Sequence, residues 1–293
     1  MSGETRDRDL VIAREEGVVT ITFDRPDKLN ALTGEMLASL EENMKTLGRD
    51  DAVKVIVIQG AGRSFCSGAD FDWVADNYLD ESAHADRREI MWIATMLFNA
   101  IWECPKPTVL KVQGHCVGVG CYFLGFCDLV IAGESARLGS PESRSFGIEP
   151  SLGLWPFTIG PRWTKALLYT GDLVDGRTAE RIGMVNHTLP DDELDDYVGW
   201  LAKRISRVDA NLLTLHKQSV NMMFEIMGFY PMLKAGVFFD HMEHMSPDWT
   251  EFLSRMRAEG VPAALKWQKE KLGDPVEDPD RDKLSDPRGE RRR

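Results

Sequence analysis

The chain has 293 residues, 43% hydrophobic and 28% charged, with a formal net charge of −12. This is the composition of a globular protein able to bury a full core, and the acidic balance argues against nucleic acid, whose phosphates need clustered Lys and Arg. The N-terminal MSGETRDRDL lacks the apolar centre of a signal peptide and no apolar run is long enough to span a bilayer, so a cytoplasmic protein without membrane contact is expected.

In chain order, Leu10 to Arg14 and Val18 to Phe23 alternate as two strands around a Glu15-Glu16-Gly17 turn. Asp24 to Asn30 is a turn, and Thr33 is placed to cap an amphipathic helix over Met36, Leu37, Leu40 and Met44 that ends near Gly48. Val53 to Ile58 is a β-branched run of the kind found in a strand buried on both faces. It leads through Gly60-Ala61-Gly62-Arg63 into Phe65-Cys66-Ser67-Gly68-Ala69-Asp70, where small residues let the backbone approach a ligand and donate its N–H groups. Phe71 to Tyr78 follows, then a helix over Arg87 to Trp102.

Thr108 to Val112 is another strand, followed by Gln113-Gly114-His115-Cys116-Val117-Gly118-Val119-Gly120-Cys121 and a buried helix over Tyr122 to Phe126. Glycines just before a helix offer a second set of N–H donors, strengthened by the helix's positive end. Leu129 to Ala132 is a short buried strand, Pro161 to Tyr169 and Ala179 to Ile182 are helices, and Met184 to Leu189 is a last strand. Alternating strands and helices imply an α/β core with mostly parallel pairing. From Asp191 on, the pattern is helical over 194–205, 212–227, 232–245, 249–258 and 262–272, and 273–293 (GDPVEDPDRDKLSDPRGERRR) has almost nothing to bury and is expected to be disordered. The five cysteines, Cys66, Cys104, Cys116, Cys121 and Cys127, sit mostly in apolar or glycine-rich surroundings and are expected to be reduced and buried.

RPDKLNALT at 25–33, GAGRSFCSGAD at 60–70, QGHCVGVGC at 113–121, CDLVIAGESARLGSPE at 127–142 and GIEPSLG at 147–153 appear in this order and spacing. With them the chain resembles the crotonase superfamily, the enoyl-CoA hydratases and isomerases, from about Leu10 to Leu272. The resemblance implies a ClpP/crotonase-like α/β spiral of ββα repeats. It implies a core at 1–205, a helical trimerisation region at 206–272 and a tail at 273–293. It further implies a homotrimer or hexamer acting on acyl-CoA thioesters, with coenzyme A carried by the substrate and no separate cofactor or metal.

Carried over residue by residue, the resemblance gives Ala69 and Val119 as the amide donors that hold an enolate oxygen, and Glu142 as the acid and base. Lys28, Leu29 and Ala31 would lie near the nucleotide end of coenzyme A. Ser67, Asp70 and Phe71 are carried over as substrate-binding residues, and Trp73, Tyr78, Met91 and Trp92 would shape the acyl pocket. Lys266, Lys269 and Lys271 are candidates for the phosphates. Val119 stands where the family usually has Gly, so it must donate from an ordinary backbone conformation. Tyr122 stands where the two-carboxylate hydratases carry their other acid. A phenol with a pKa near 10 is a poor base for water, whereas moving a double bond needs only one proton carrier. That departure favours an enoyl-CoA isomerase. A hydratase in which Glu149 substitutes for the lost carboxylate is the alternative, and a non-catalytic acyl-CoA or protein-binding module is another. His115 beside Cys116 reads as a packed turn rather than a thiol nucleophile, and His241 with His244 reads as a polar helix face rather than a metal site.

Overall fold

The computed structural model describes residues 3–78, 97–144, 154–243 and 245–275. Strands β1 (Gly3–Asp7), β2 (Leu10–Glu15) and β3 (Val18–Phe23) form an antiparallel meander at one edge of a seven-stranded sheet. Then β4 (Val55–Gly60), β5 (Thr108–Val112), β7 (Leu129–Gly133) and β10 (His187–Leu189) continue it in parallel, in the order β1-β2-β3-β4-β5-β7-β10. A second sheet, β6-β8-β9, joins His115–Val117, Arg137–Gly139 and Val174–Asp175.

The β-branched run in β4 has its explanation in two cores. Ile56 and Ile58 enter the main cluster with Met36, Leu40 and Met44 of α1 (Gly34–Gly48). Val55 and Val57 face the other way, against Leu194, Val198 and Ala202 of α8 (Leu194–Ile205). Alternate residues are thus buried on opposite faces, which removes the usual polar alternation. Thr33 caps α1 as expected, its hydroxyl accepting from the Met36 amide at 3.3 Å.

The helices between are α2 (Phe71–Tyr78), α3 (helical over 97–103), α4 (Tyr122–Phe126), α5 (Leu154–Thr158), α6 (Gly160–Thr170) and α7 (Gly176–Ile182). Four more follow α8: α9 (Ala210–Ile226), α10 (Phe229–Glu243), α11 (Pro247–Glu259) and α12 (Val261–Leu272). Stacking of Phe229 on Trp102, with centroids 4.5 Å apart, anchors the start of α10 to the core. The α11–α12 pair forms a separate apolar cluster with α2, in which Val74 meets Trp249, Phe252 and Met256.

Three features depart from the expected elements. β1 is an exposed strand with no apolar residue, held by its pairing with β2, so no hydrophobic period announces it. The strands of the second sheet have two or three residues each, too few to show a period, and β6 falls within a stretch read as a turn. The last strand begins at His187 rather than Met184, because the Met184 and Val185 amides donate back to Ala179 and close α7. Among the described residues no helix is long and apolar enough to cross a membrane, and no group of His, Cys, Asp and Glu could hold a metal ion.

Candidate active site

β4 delivers the chain to Gly60, where a Cβ would lie 2.4 Å from the Phe65 carbonyl oxygen, so the return of the loop requires glycine. The loop is then stitched along both edges. On one side the Cys66 amide donates to His115 O (2.9 Å) and the Val117 amide donates to Cys66 O (3.1 Å), a bridge between Cys66 and Cys116. On the other side the Leu32 amide donates to Gly68 O (2.8 Å) and the Asp70 amide to Leu32 O (2.9 Å), bridging Leu32 to Ala69. A parallel bridge of this kind uses the groups flanking Ala69 and leaves its own N–H outside the ladder. Among the described residues no acceptor takes that amide.

The second turn begins a 3-10 helix at Gly118–Cys121. The first amides of a helix have no partner within it, and Val119 is the second residue of this one. Its amide also finds no acceptor among the described residues. Val119 is not among the positive-φ residues, so the β-branched side chain places no strain on the donor. The two loops touch: a Cβ on Gly120 would lie 3.0 Å from Cys66 Cβ, and one on Gly68 would lie 3.4 Å from Val117 O.

Glu142 lies on the 3-10 turn Pro141–Arg144, just after β8. Its carboxyl presses against the second turn, since a Cβ on Gly118 (φ 58°) would lie 2.0 Å from Oε1. Burial pushes the carboxyl up to about 7, and its own amide and the Ser140 hydroxyl, which favour the charged form, offset only part of that. The Cys66 thiol is pushed up to about 12, first by burial and in small part by the nearby Glu142 charge. A carboxyl in the neutral range therefore sits beside two backbone segments whose Ala69 and Val119 N–H groups find no acceptor among the described residues. Such a set can take a proton from a carbon while hydrogen bonds hold the oxygen that becomes negative.

A family model described as enoyl-CoA hydratase/isomerase matches residues 13–235. The chain belongs to that family. An enoyl-CoA hydratase/isomerase from Xanthobacter autotrophicus Py2 superposes with a TM-score of 0.85 at 30% identity, covering 91% of this chain and 99% of that one. A crotonyl-CoA hydratase of Syntrophomonas wolfei is 30% identical over 217 residues, 73% of this chain and 81% of the relative. A 1,2-epoxyphenylacetyl-CoA isomerase of Escherichia coli is 31% identical over 212 residues, 71% of this chain and 79% of the relative. The protein is thus an enzyme of the enoyl-CoA hydratase/isomerase family with the crotonase fold.

The segments carrying Ala69, Val119 and Glu142 meet, with Gly68 against Val117 and Gly118 against the Glu142 carboxyl. The turn carrying Lys28, Leu29 and Ala31 is tied to the first loop, with the Ser67 amide donating to Leu29 O (3.0 Å) and the Ser67 hydroxyl to Lys28 O (3.3 Å). Lys28 is exposed and paired with Asp72 at 2.8 Å, so an incoming anion would compete with that carboxylate. Asp70 is committed to structure. Its Oδ1 accepts from the Asp72 and Trp73 amides (3.0 and 3.1 Å) and caps α2, while its Oδ2 accepts from Arg25 (2.8 Å). Burial works to raise its pKa, but the Trp73 amide and the Arg25 guanidinium outweigh it and hold the carboxyl below its usual range. Phe71 meets Phe252 at 5.8 Å, and Trp73 packs in the same apolar cluster. Tyr122 is buried with its ring edge-on to Phe98 at 5.3 Å. Lys266, Lys269 and Lys271 pair with Glu270, Asp274 and Asp248. Glu149, Met91, Trp92 and His244 lie outside the described residues, as do the side chains of Tyr78 and His241. The Cys116 thiol, pushed far up by burial, donates to Gly120 O and is no nucleophile.

Sequence reasoning missed the residues that hold these groups in place. Asn30 is fully buried at φ 55°; its Oδ1 accepts from the Arg25 amide, and its Nδ2 donates to Ala61 O (2.9 Å) and Ser64 O (2.8 Å). The available signal was an Asn at the end of a Pro-containing turn, a residue type that tolerates the left-handed region. In the sequence Gly118 is one glycine of a donor turn, and only the fold makes it the seat of the Glu142 carboxyl.

Proposed function

We propose that this enzyme forms the enolate of an acyl-CoA thioester and acts as an enoyl-CoA isomerase, with Glu142 carrying a proton between the α and γ carbons. The observation that carries this reading is the Glu142 carboxyl, the one carboxyl among the described residues raised to about 7, lodged against the turn that bears the Val119 amide. The Ala69 and Val119 amides would hold the thioester oxygen as it gains charge, an effect worth about 10²–10³ in rate for each donor. The buried Tyr122 stands where a hydratase would carry its other carboxylate, and its ring packs edge-on against Phe98. No cofactor beyond the coenzyme A of the substrate enters the scheme.

The test incubates purified protein with trans-3-hexenoyl-CoA and crotonyl-CoA and follows products by liquid chromatography, which separates the isomers, with mass detection. Conversion of the first at unchanged mass is the expected result. Addition of 18 mass units to crotonyl-CoA as the main reaction would replace the isomerase with the hydratase reading, in which Glu149 supplies the missing acid. Absence of turnover on a broad acyl-CoA panel would favour a binding module. Glu142→Gln should lower turnover by about 10²–10⁴ with CoA-ester binding retained.

The same reading includes a homotrimer or a hexamer built from trimers. Met222, Met223, Ile226 and Met227 are 58–81% exposed along and just beyond α9, more apolar surface than a monomer usually presents. Light scattering at micromolar concentration should give a multiple of three chains, and a monomer would contradict it.

A further inference from the structure

The turn that carries Glu142 is fastened to the far end of the chain by one side chain. Arg144 Nη1 donates to Leu272 O at 3.0 Å and to Gly273 O at 3.2 Å, at the C-terminal end of α12. A guanidinium is suited to this place, because the last carbonyls of a helix lack intrahelical donors and carry its negative end. Arg144 Nε also lies 3.4 Å from Pro141 O, which closes the turn around Glu142. Room for the side chain comes from Gly171 (φ 64°), where a Cβ would lie 2.6 Å from Arg144 Nε and 2.8 Å from Cδ. Ser143 adds a second tie, its hydroxyl donating to Leu168 O at 2.8 Å.

The helix that receives Arg144 also reaches the other half of the site. Val261, Ala264 and Trp267 of α12 share an apolar cluster with Ala69, Phe71 and Trp73. The α11–α12 pair therefore meets the segment of one proposed amide donor through apolar packing and the turn of the proposed proton carrier through Arg144. We propose that Arg144 is a positioning residue, clasping the Glu142 turn to the end of α12 so that the C-terminal helix pair sets the spacing between the Glu142 carboxyl and the Ala69 amide. The inference rests on Glu142 being the proton carrier of the proposed function.

The clasp acts by placement. Among the described residues, the groups that face the Glu142 carboxyl are the Cys66 thiol from the first loop, the Ser140 hydroxyl from the end of β8 and the backbone of Gly118. The thiol stays neutral at working pH. Without the clasp the turn can lift off Gly118 and let water reach the carboxyl, which then titrates closer to its ordinary value. A misplacement of about 1 Å in a reacting group typically costs about 10²-fold in rate.

The experiment follows exchange of the α-protons of butyryl-CoA in D2O by proton NMR, which reads enolate formation whatever the final product. Glutamate labelled with ¹³C at Cδ reports the Glu142 titration separately, its signal assigned by loss in Glu142→Gln. Arg144→Ala is expected to slow exchange about 10–100-fold with KM within about twofold, and to lower the Glu142 pKa by about one or more. Arg144→Lys, which keeps a donor and a charge, should recover part of both. Deleting 272–293 removes the acceptor carbonyls and should match Arg144→Ala without adding to it in the double variant, whereas deleting 276–293 should match wild type. Wild-type exchange and titration in Arg144→Ala, with Glu142→Gln inactive, would overturn the clasp and leave the proposed function standing. If Glu142→Gln exchanges normally, or wild type does not exchange at all, the proton-carrier reading fails; the titration then decides the clasp alone, and an unchanged Glu142 pKa in Arg144→Ala overturns it.

Discussion

Glu142→Gln should make the protein more stable, and only above a particular pH. The folded structure moves the Glu142 carboxyl from an ordinary 4.5 to about 7, chiefly through burial. A group whose folded pKa is raised holds its proton more tightly when folded. Its contribution is fully present below about 4.5, fades as pH rises through about 7, and is absent above that. At about 1.4 kcal/mol per tenfold change in proton affinity, keeping the ionised carboxylate inside costs the folded state about 3 kcal/mol at pH 8. Glutamine has nearly the same shape and never ionises, so the substitution removes this cost while leaving Gly118 and the turn undisturbed. Urea unfolding of wild type and Glu142→Gln at pH 4.5, 6, 7 and 8.5 should give a stability difference near zero at the lowest pH. The difference should grow to about 1–3 kcal/mol in favour of the variant at the highest, the lower figure allowing for the residue's partial exposure. A difference independent of pH, or one favouring wild type at pH 8.5, would show that the carboxyl is not held in an enclosed site.

Gly118→Ala puts a methyl 2.0 Å from Glu142 Oε1 at a residue with φ 58°, so α-proton exchange should fall at least tenfold; an unchanged rate would show that the carboxyl does not rest there. Asn30→Ala strips donors from the half-buried Ala61 carbonyl and the buried Ser64 carbonyl and should cost about 1–3 kcal/mol in urea unfolding, with a loss below about 0.5 kcal/mol contradicting the pinning role. Removing residues 276–293 should leave both the melting temperature and the oligomeric state as they are, and a drop of several degrees would show that this acidic and basic stretch packs somewhere.

Most of the large elements were legible because their signals are local. The β-branched run of β4, the Thr33 cap and the helical period of α8 each need only a few neighbouring residues to be read. The short second sheet was not legible, since strands such as Val174–Asp175 owe their state to partners distant in sequence. At the site, small residues and glycines disclosed where backbone could approach a ligand, and family resemblance singled out Glu142. What stayed hidden was how that carboxyl is held. Arg144 reads as one more charged residue until the end of α12, 128 positions later, is found against it. Asn30 reads as a turn residue until loop 61–64 closes over its amide. Val119 stands where glycine is usual, and its ordinary backbone conformation is visible only in the fold.

The five cysteines are all buried and unpaired, and Cys66 and Cys116 lie back to back where the two amide-bearing loops are stitched together. This gives the enzyme an internal clock. A thiol reagent cannot reach either sulfur while the loops are joined, so the rate at which those cysteines are labelled counts how often the seam parts. An acyl-CoA that settles into the loops should slow the count at Cys66 and Cys116 and leave Cys104, behind α1 and α3, running at its own pace. The same cysteines that do no chemistry in the reaction thus report, one seam at a time, how the reaction centre breathes.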